Sequence, residues 1–186
     1  MADQILTLAQ LNSAFQSLTA TLTGLDPNSG VRLRWPTNGV PGWGVAADVA
    51  FMSVTTSNEP IIQQRETDYQ GDAGDGVNVN VQDSYSRVHE VSWMIVGPNS
   101  YANAEALRSG LYSQSAHDTL AALNLFMVLD VPAVTRVPEL FNGQWWERCD
   151  ISARFNEAVA RAYTVPYLVS SQVTVIDDSG DQEVIS

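Results

Sequence analysis

The sequence predicts an α+β fold: a mainly antiparallel, mixed β-sheet packed against helices on one face, with a long β-arm or loop excursion. Three observations carry this prediction. A helix-period apolar stripe opens the chain, two further helical segments lie near its middle, and period-two alternation fills most of the last third. The connections are too short, and the strands too clustered, for a doubly wound parallel sheet.

Residues 4–23 read as a helix, because Ile5, Leu8, Leu11, Phe15, Leu18 and Leu22 recur at steps of three and four. Asp3 can cap its start and Gly24 its end. "VRLRW" (31–35) is a short alternating strand stopped by Pro36, and "ADVAFMSVTT" (47–56) is a second strand. Residues 57–86 form an excursion with Gly71, Gly74 and Gly76 among Asp68, Asp72, Asp75 and Asp83. So long a stretch without structure is uncommon inside a domain, and "VNVNV" (77–81) alternates as half of a hairpin does. An extended β-arm or mobile loop is therefore expected there.

"RVHEVSWMIVG" (87–97) is the next strand, broken by Gly97-Pro98 before a helix from Asn99 or Ser100 to about Tyr112. Ser115 with Asp118 suits a capping box for a helix over 116–124. "LFMVLDV" (125–131) reads as a buried strand, and Pro132 and Pro138 make 132–142 a loop or weak edge. From 144 to 157, Trp145, Glu147, Cys149, Ile151, Ala153 and Phe155 share one strand face, and Trp146, Arg148, Asp150, Ser152, Arg154 and Asn156 the other. The first face is core apart from Glu147. Strands continue through 158–165 and 170–176, leaving a flexible acidic tail over 177–186. The expected organisation is one domain, residues 1–186, with an N-terminal helix within 1–24 and the arm at 57–86.

The chain has 186 residues, enough for a real core, and a hydrophobic content of 45%. No apolar run approaches a membrane span, and residues 1–25 lack the pattern of a targeting signal, so a soluble protein is expected. Nine basic residues, all arginine, face 21 acidic ones for a net charge of −12. Adhesion to a phosphate backbone needs a basic patch, which this balance disfavours. An acidic surface can still lie beside DNA without sticking to it.

A catalytic site is hard to find. His89 sits mid-strand beside Val91 and Trp93, where a hydrogen-bonded structural role is expected. Ser115, His117 and Asp118 are too closely spaced along a helix to act as nucleophile, base and orienter. "GDAGDG" lacks the spacing and final glutamate of a calcium loop, and no phosphate or dinucleotide loop appears. No catalytic residue, cofactor or metal is assigned. Cys149 reads as a small core residue, and Glu147 as a carboxylate needing an arginine partner. Trp146, Arg148 and Arg154 on the second face look like a subunit interface, since Trp and Arg are enriched at hot spots.

"VSWMIVGPNSYANAEALRSGLY" (91–112), "FNGQWWERCDISARFN" (141–156) with the "VPYLVSSQVTV" that follows, and "VRLRWPTNGVPGW" (31–43) resemble the neck terminator, or tail terminator, proteins of tailed bacteriophages. The likeness spans roughly residues 30–177 in order and spacing. It implies a structural virion protein and no enzyme: α+β subunits forming a ring, usually six-fold, at the head-proximal end of the tail. Such a ring ends tail-tube assembly, meets the head-side connector and lets genomic DNA pass without specific binding. The implied partners are the chain itself, the tail-tube protein and the connector, with no membrane. The implied location is the virion neck, after assembly in the host cytoplasm. Asp72 and Asp75 would line the lumen. Trp145 would pack into the core beneath the helix at 100–112, and Trp146 would face a neighbour. Another head–tail joining, tail-completion or tail-tube protein is the alternative, followed by a small hydrolase using Glu147 or His89.

Overall fold

The structure, a computed structural model, describes residues 3–36, 42–168, 173–176 and 182–185. Two compact units divide the chain: Ile5–Gln64 with Tyr85–Val159, and Met1–Gln4 with Arg65–Ser84 and Ala160–Ser186.

The larger unit is built on strands β1 (Val31–Leu33), β2 (Val49–Thr56), most of β4 (Asn78–Val96), β5 (Leu125–Met127), β6 (Thr135–Arg136) and the first part of β9 (Arg148–Pro166). Neighbours run β1-β2-β4-β9-β5, and β6 also pairs with β9. The β1–β2 pair is parallel, whereas β2–β4, β5–β9 and β6–β9 are antiparallel, so the sheet is mixed. Helices α1 (Leu8–Thr23), α2 (Ser100–Leu111) and α3 (Gln114–Ala121) complete the α+β fold.

Register explains which residues become core. Phe51 stands opposite Met94 and Met52 opposite Trp93, so alternate residues of β2 and β4 share faces. Ala50, Met52, Val91, Trp93 and Ile95 join Cys149, Ile151, Ala153 and Phe155 on the face covered by Leu11, Phe15, Leu18, Ala104, Leu107, Leu111 and Leu120 of the helices. Phe15 and Phe155 pack with tilted rings 4.7 Å apart, and the buried Trp93 indole donates to Thr19 Oγ1 at 2.8 Å. Phe51, Met94, Val49 and Val96 face the other way and form a small second cluster.

Several boundaries differ from expectation. Helix α1 starts at Leu8, not Gln4, because Thr7 and Gln10 make the capping box. Asp3 instead accepts from the Ala162 amide at 3.1 Å. Helix α3 is capped by Ser113 and not Ser115, and Asp118 accepts from Gln114. The expected strand at 125–131 is only three residues long, with Phe126 and Leu129 exposed, because it lies at a sheet edge. The expected run from 144 to 157 divides at Glu147. Gln144–Trp146 (β8) pairs with Glu139–Phe141 (β7) as a separate two-stranded hairpin.

In the smaller unit, the excursion at 57–86 resolves into a 3-10 turn (Pro60–Gln63, itself in the larger unit), strand β3 (Arg65–Asp72) and the start of β4, which pairs with β3. Residues from Ala160 continue β9, and the Tyr167 amide donates to the Val77 carbonyl at 3.1 Å. Within the region expected as a tail, Gln182–Ile185 (β11) pairs antiparallel with Val173–Ile176 (β10). Residues 177–181 and 186 of that tail lie outside the described residues, as do 37–41 of the proline-rich turn and 169–172 before β10.

Candidate functional site

Among the described residues, the one deeply buried carboxylate is Glu157, and its surroundings are structural in character. Strand alternation carries Glu157 onto the core face after Cys149, Ile151, Ala153 and Phe155, and it is 1% exposed. A carboxylate there needs partners. Arg87 supplies two donors to Oε2, at 2.9 and 2.6 Å; His89 Nε2 lies 2.7 Å from the same oxygen; the Leu6 amide reaches Oε1 at 2.7 Å. Burial pushes the Glu157 carboxyl up, but Leu6, His89 and Arg87 together bring it below the usual glutamate range. An ionised carboxylate only accepts, so His89 Nε2 carries the proton. His89 thus has the structural hydrogen bond expected of it, with a partner that the sequence reading missed. The signal was present: Arg87, His89 and Glu157 all fall on inward positions of their strands.

The sheet face opposite the helices holds the residues assigned to an interface. Trp43 packs on Phe51 at 4.7 Å with the rings tilted; Trp146 is half-buried, its ring 6.2 Å from that of Trp43 in an edge-on arrangement between these two tryptophans. With Met94, Val96, Leu140 and Glu139 they line a cavity of about 440 Å³. Trp145, expected to pack into the core, is instead 66% exposed. The cause is the break at Glu147: Trp145 pairs with Leu140, and Trp146 with Glu139, in a two-residue-wide ribbon that has left the main sheet. One ribbon face packs on Trp43, and the core never reaches the other.

Arg148 is only 17% exposed and forks onto Asp150 at 2.8 and 2.7 Å while meeting Glu139 at 3.2 Å. Arg154 bridges Glu59 at 2.7 Å and Asp130. Both guanidiniums are held above the usual arginine range, chiefly by hydrogen bonds to Asp150 and Asp130 respectively. Glu147 has the arginine partner foreseen for it, Arg136 at 2.6 Å, but on a half-exposed site. Its carboxyl is lowered by that hydrogen bond.

The smaller unit carries Asp72 and Asp75 on the turn between β3 and β4. Asp72 Oδ1 accepts from Gly74 at 2.6 Å and Gly76 at 3.4 Å, and its Oδ2 from the Tyr167 hydroxyl at 3.1 Å. Asp75 accepts from the Val77 and Asn78 amides and the Asn78 side chain. These bonds lower both carboxyls: the largest effect on Asp72 is the Gly74 amide, and on Asp75 the Asn78 side chain. The turn is therefore pinned by its own aspartates.

Among the described residues, no three or more His, Cys, Asp or Glu side chains gather as a metal site, and no helix is long and apolar enough to cross a membrane. Ser115 Oγ lies 3.1 Å from the Oγ of the capping Ser113, and Asp118 accepts from the Gln114 side chain within helix α3. No curated protein matches the chain. A family model described as phage neck terminator protein matches residues 9–181. That family is structural and implies a component of the virion tail or neck that meets other head–tail proteins. The α+β fold and this match along nearly the whole chain agree: the protein belongs to the phage neck terminator family.

Proposed function

We propose that copies of this chain close into a ring, six-fold in symmetry, at the head-proximal end of the tail. The ring halts growth of the tail tube, joins it to the head-side connector and leaves a passage for DNA. The family match over residues 9–181 carries this reading. Both units serve one assembly module, residues 1–186, and no catalytic step is involved. The host cytoplasm is where the ring assembles.

The sheet face with Trp146, Arg148 and Arg154 in its floor is the contact surface. Trp145 and Leu140, exposed on the adjoining hairpin, supply apolar area at its border. Asp72 and Asp75 line the passage, where carboxylates keep a sliding duplex from adhering. Both are ionised at physiological pH as exposed aspartates are, and their hydrogen bonds lower them further.

A reconstruction of the native particle tests the proposal. A ring of this chain seated between tube and connector is expected. Isolated single copies, or a position along the tube, would sink it, and the second outcome would make the chain a tube component.

A further inference from the structure

Within the larger unit, Arg87, Arg136, Arg148 and Arg154 pair with carboxylates, and Arg108 donates to the carbonyls of Val131 and Pro132. Arg34 is different. Its Nη2 lies 4.0 Å from Met94 Sδ, a weak acceptor, and no carboxylate of the described residues comes within ion-pair distance. The guanidinium opens on a groove of about 270 Å³ lined also by Ser92, Thr135, Ser152 and Asp150. Asp150 is already engaged by the Arg148 fork. What the groove offers is a planar cation and three hydroxyl donors, a set that suits a carboxylate.

The chain displays the complementary charge elsewhere. Every residue of β3 is exposed, and it pairs on one edge only among the described residues. Asp72 caps the turn, and Asp83 accepts from Thr67 and Tyr163. Glu66 has no partner among the described residues, and Asp68 has only Gln70 at 3.4 Å. Subunits of net charge −12 repel unless unlike patches meet, and a groove on one copy with a strand on the next makes a head-to-tail contact, the kind that closes rings.

We propose that the Arg34 groove receives the carboxylate of Asp68 or Glu66 from strand β3 of a second copy of this chain. The proposal rests on the ring reading and names its contact.

The test joins disulfide trapping to charge reversal in the full chain. Arg34→Cys is combined with Asp68→Cys, and separately with Glu66→Cys, in a Cys149→Ser background that removes the native buried thiol. A ladder of linked copies on a non-reducing gel is expected from one of the pairs. In the otherwise unaltered chain, R34E should cut ring-sized particles in mass photometry at least tenfold, and adding D68R or E66R should restore them. Rings that persist in R34E without cross-links would overturn the groove contact and leave the ring standing. Linked dimers without rings in the parent chain would support the contact and sink the ring. Monomers throughout would sink both. A bond formed only within one chain, or loss of rings in R34E that neither reversal rescues, would assign the groove to another ligand and overturn the proposal.

Discussion

Adjacent tryptophans at 145 and 146 have opposite fates because a single residue, Glu147, separates their ribbon from the long strand that follows. Strand alternation alone places Trp145 with Cys149 in the core; the break removes the partner surface, leaving Trp145 exposed and Trp146 against Trp43. Trp146→Ala should therefore lower stability by about 2 kcal/mol, less than a full core truncation because the ring is half-buried. Trp145→Ala should leave stability within about 0.5 kcal/mol. Urea midpoints of the two variants check this; a larger loss for Trp145→Ala would show that its ring is covered. Here the alternation was legible and the break was not. The break is tied to a contact far along the chain, where the Gly97 amide donates to the Glu147 carbonyl at 3.0 Å.

Elements were easiest to read where local rules suffice. The stripe of α1, the Gly97-Pro98 stop and the helix from Ser100 all appear in place, because periodicity and breakers act over a few residues. Helix starts were misplaced where a distant strand claimed the expected cap, as Ala162 claims Asp3. The joint between β4 and α2 depends on one glycine. Gly97 has φ +119°, and an added Cβ would stand 2.4 Å from Asp48 Oδ1 and 2.6 Å from the Ala47 carbonyl oxygen. Asp48 cannot retreat freely, since both its oxygens accept from Asn99, at 2.9 and 2.8 Å. Gly97→Ala should cost at least ~2 kcal/mol, combining backbone strain with the clash. Thermal unfolding of the variant measures it, and an unchanged midpoint would mean the joint can relax.

At the scale of the whole molecule, stability should depend on acid through Glu157. Its folded carboxyl lies below the ordinary glutamate value of 4.5, so its contribution is complete above that value and is lost as the pH falls through the folded value. Arg87→Ala should destabilise by about 3–5 kcal/mol, because it strips the main partner from a buried charge. It should also flatten the acid dependence, because a folded carboxyl raised toward its unfolded value has less stability to lose as the pH falls. Denaturant titrations between neutral pH and pH 3 test both; parallel curves for parent and variant would remove Glu157 as the source. The sequence exposed the fold class and the family, which rest on patterns of neighbours. The inward positions of Arg87, His89 and Glu157 were legible, but their meeting depends on register between strands about seventy residues apart, which no local pattern encodes.

Among the described residues strand β3 is paired along one side only, and it has neither proline nor lysine to blunt the other. Newly made chains meet one another before they are built into a virion. Glu66 and Asp68 keep such edges from knitting at random into fibres, so the same carboxylates that would later bind a specific groove first act as a guard on solubility.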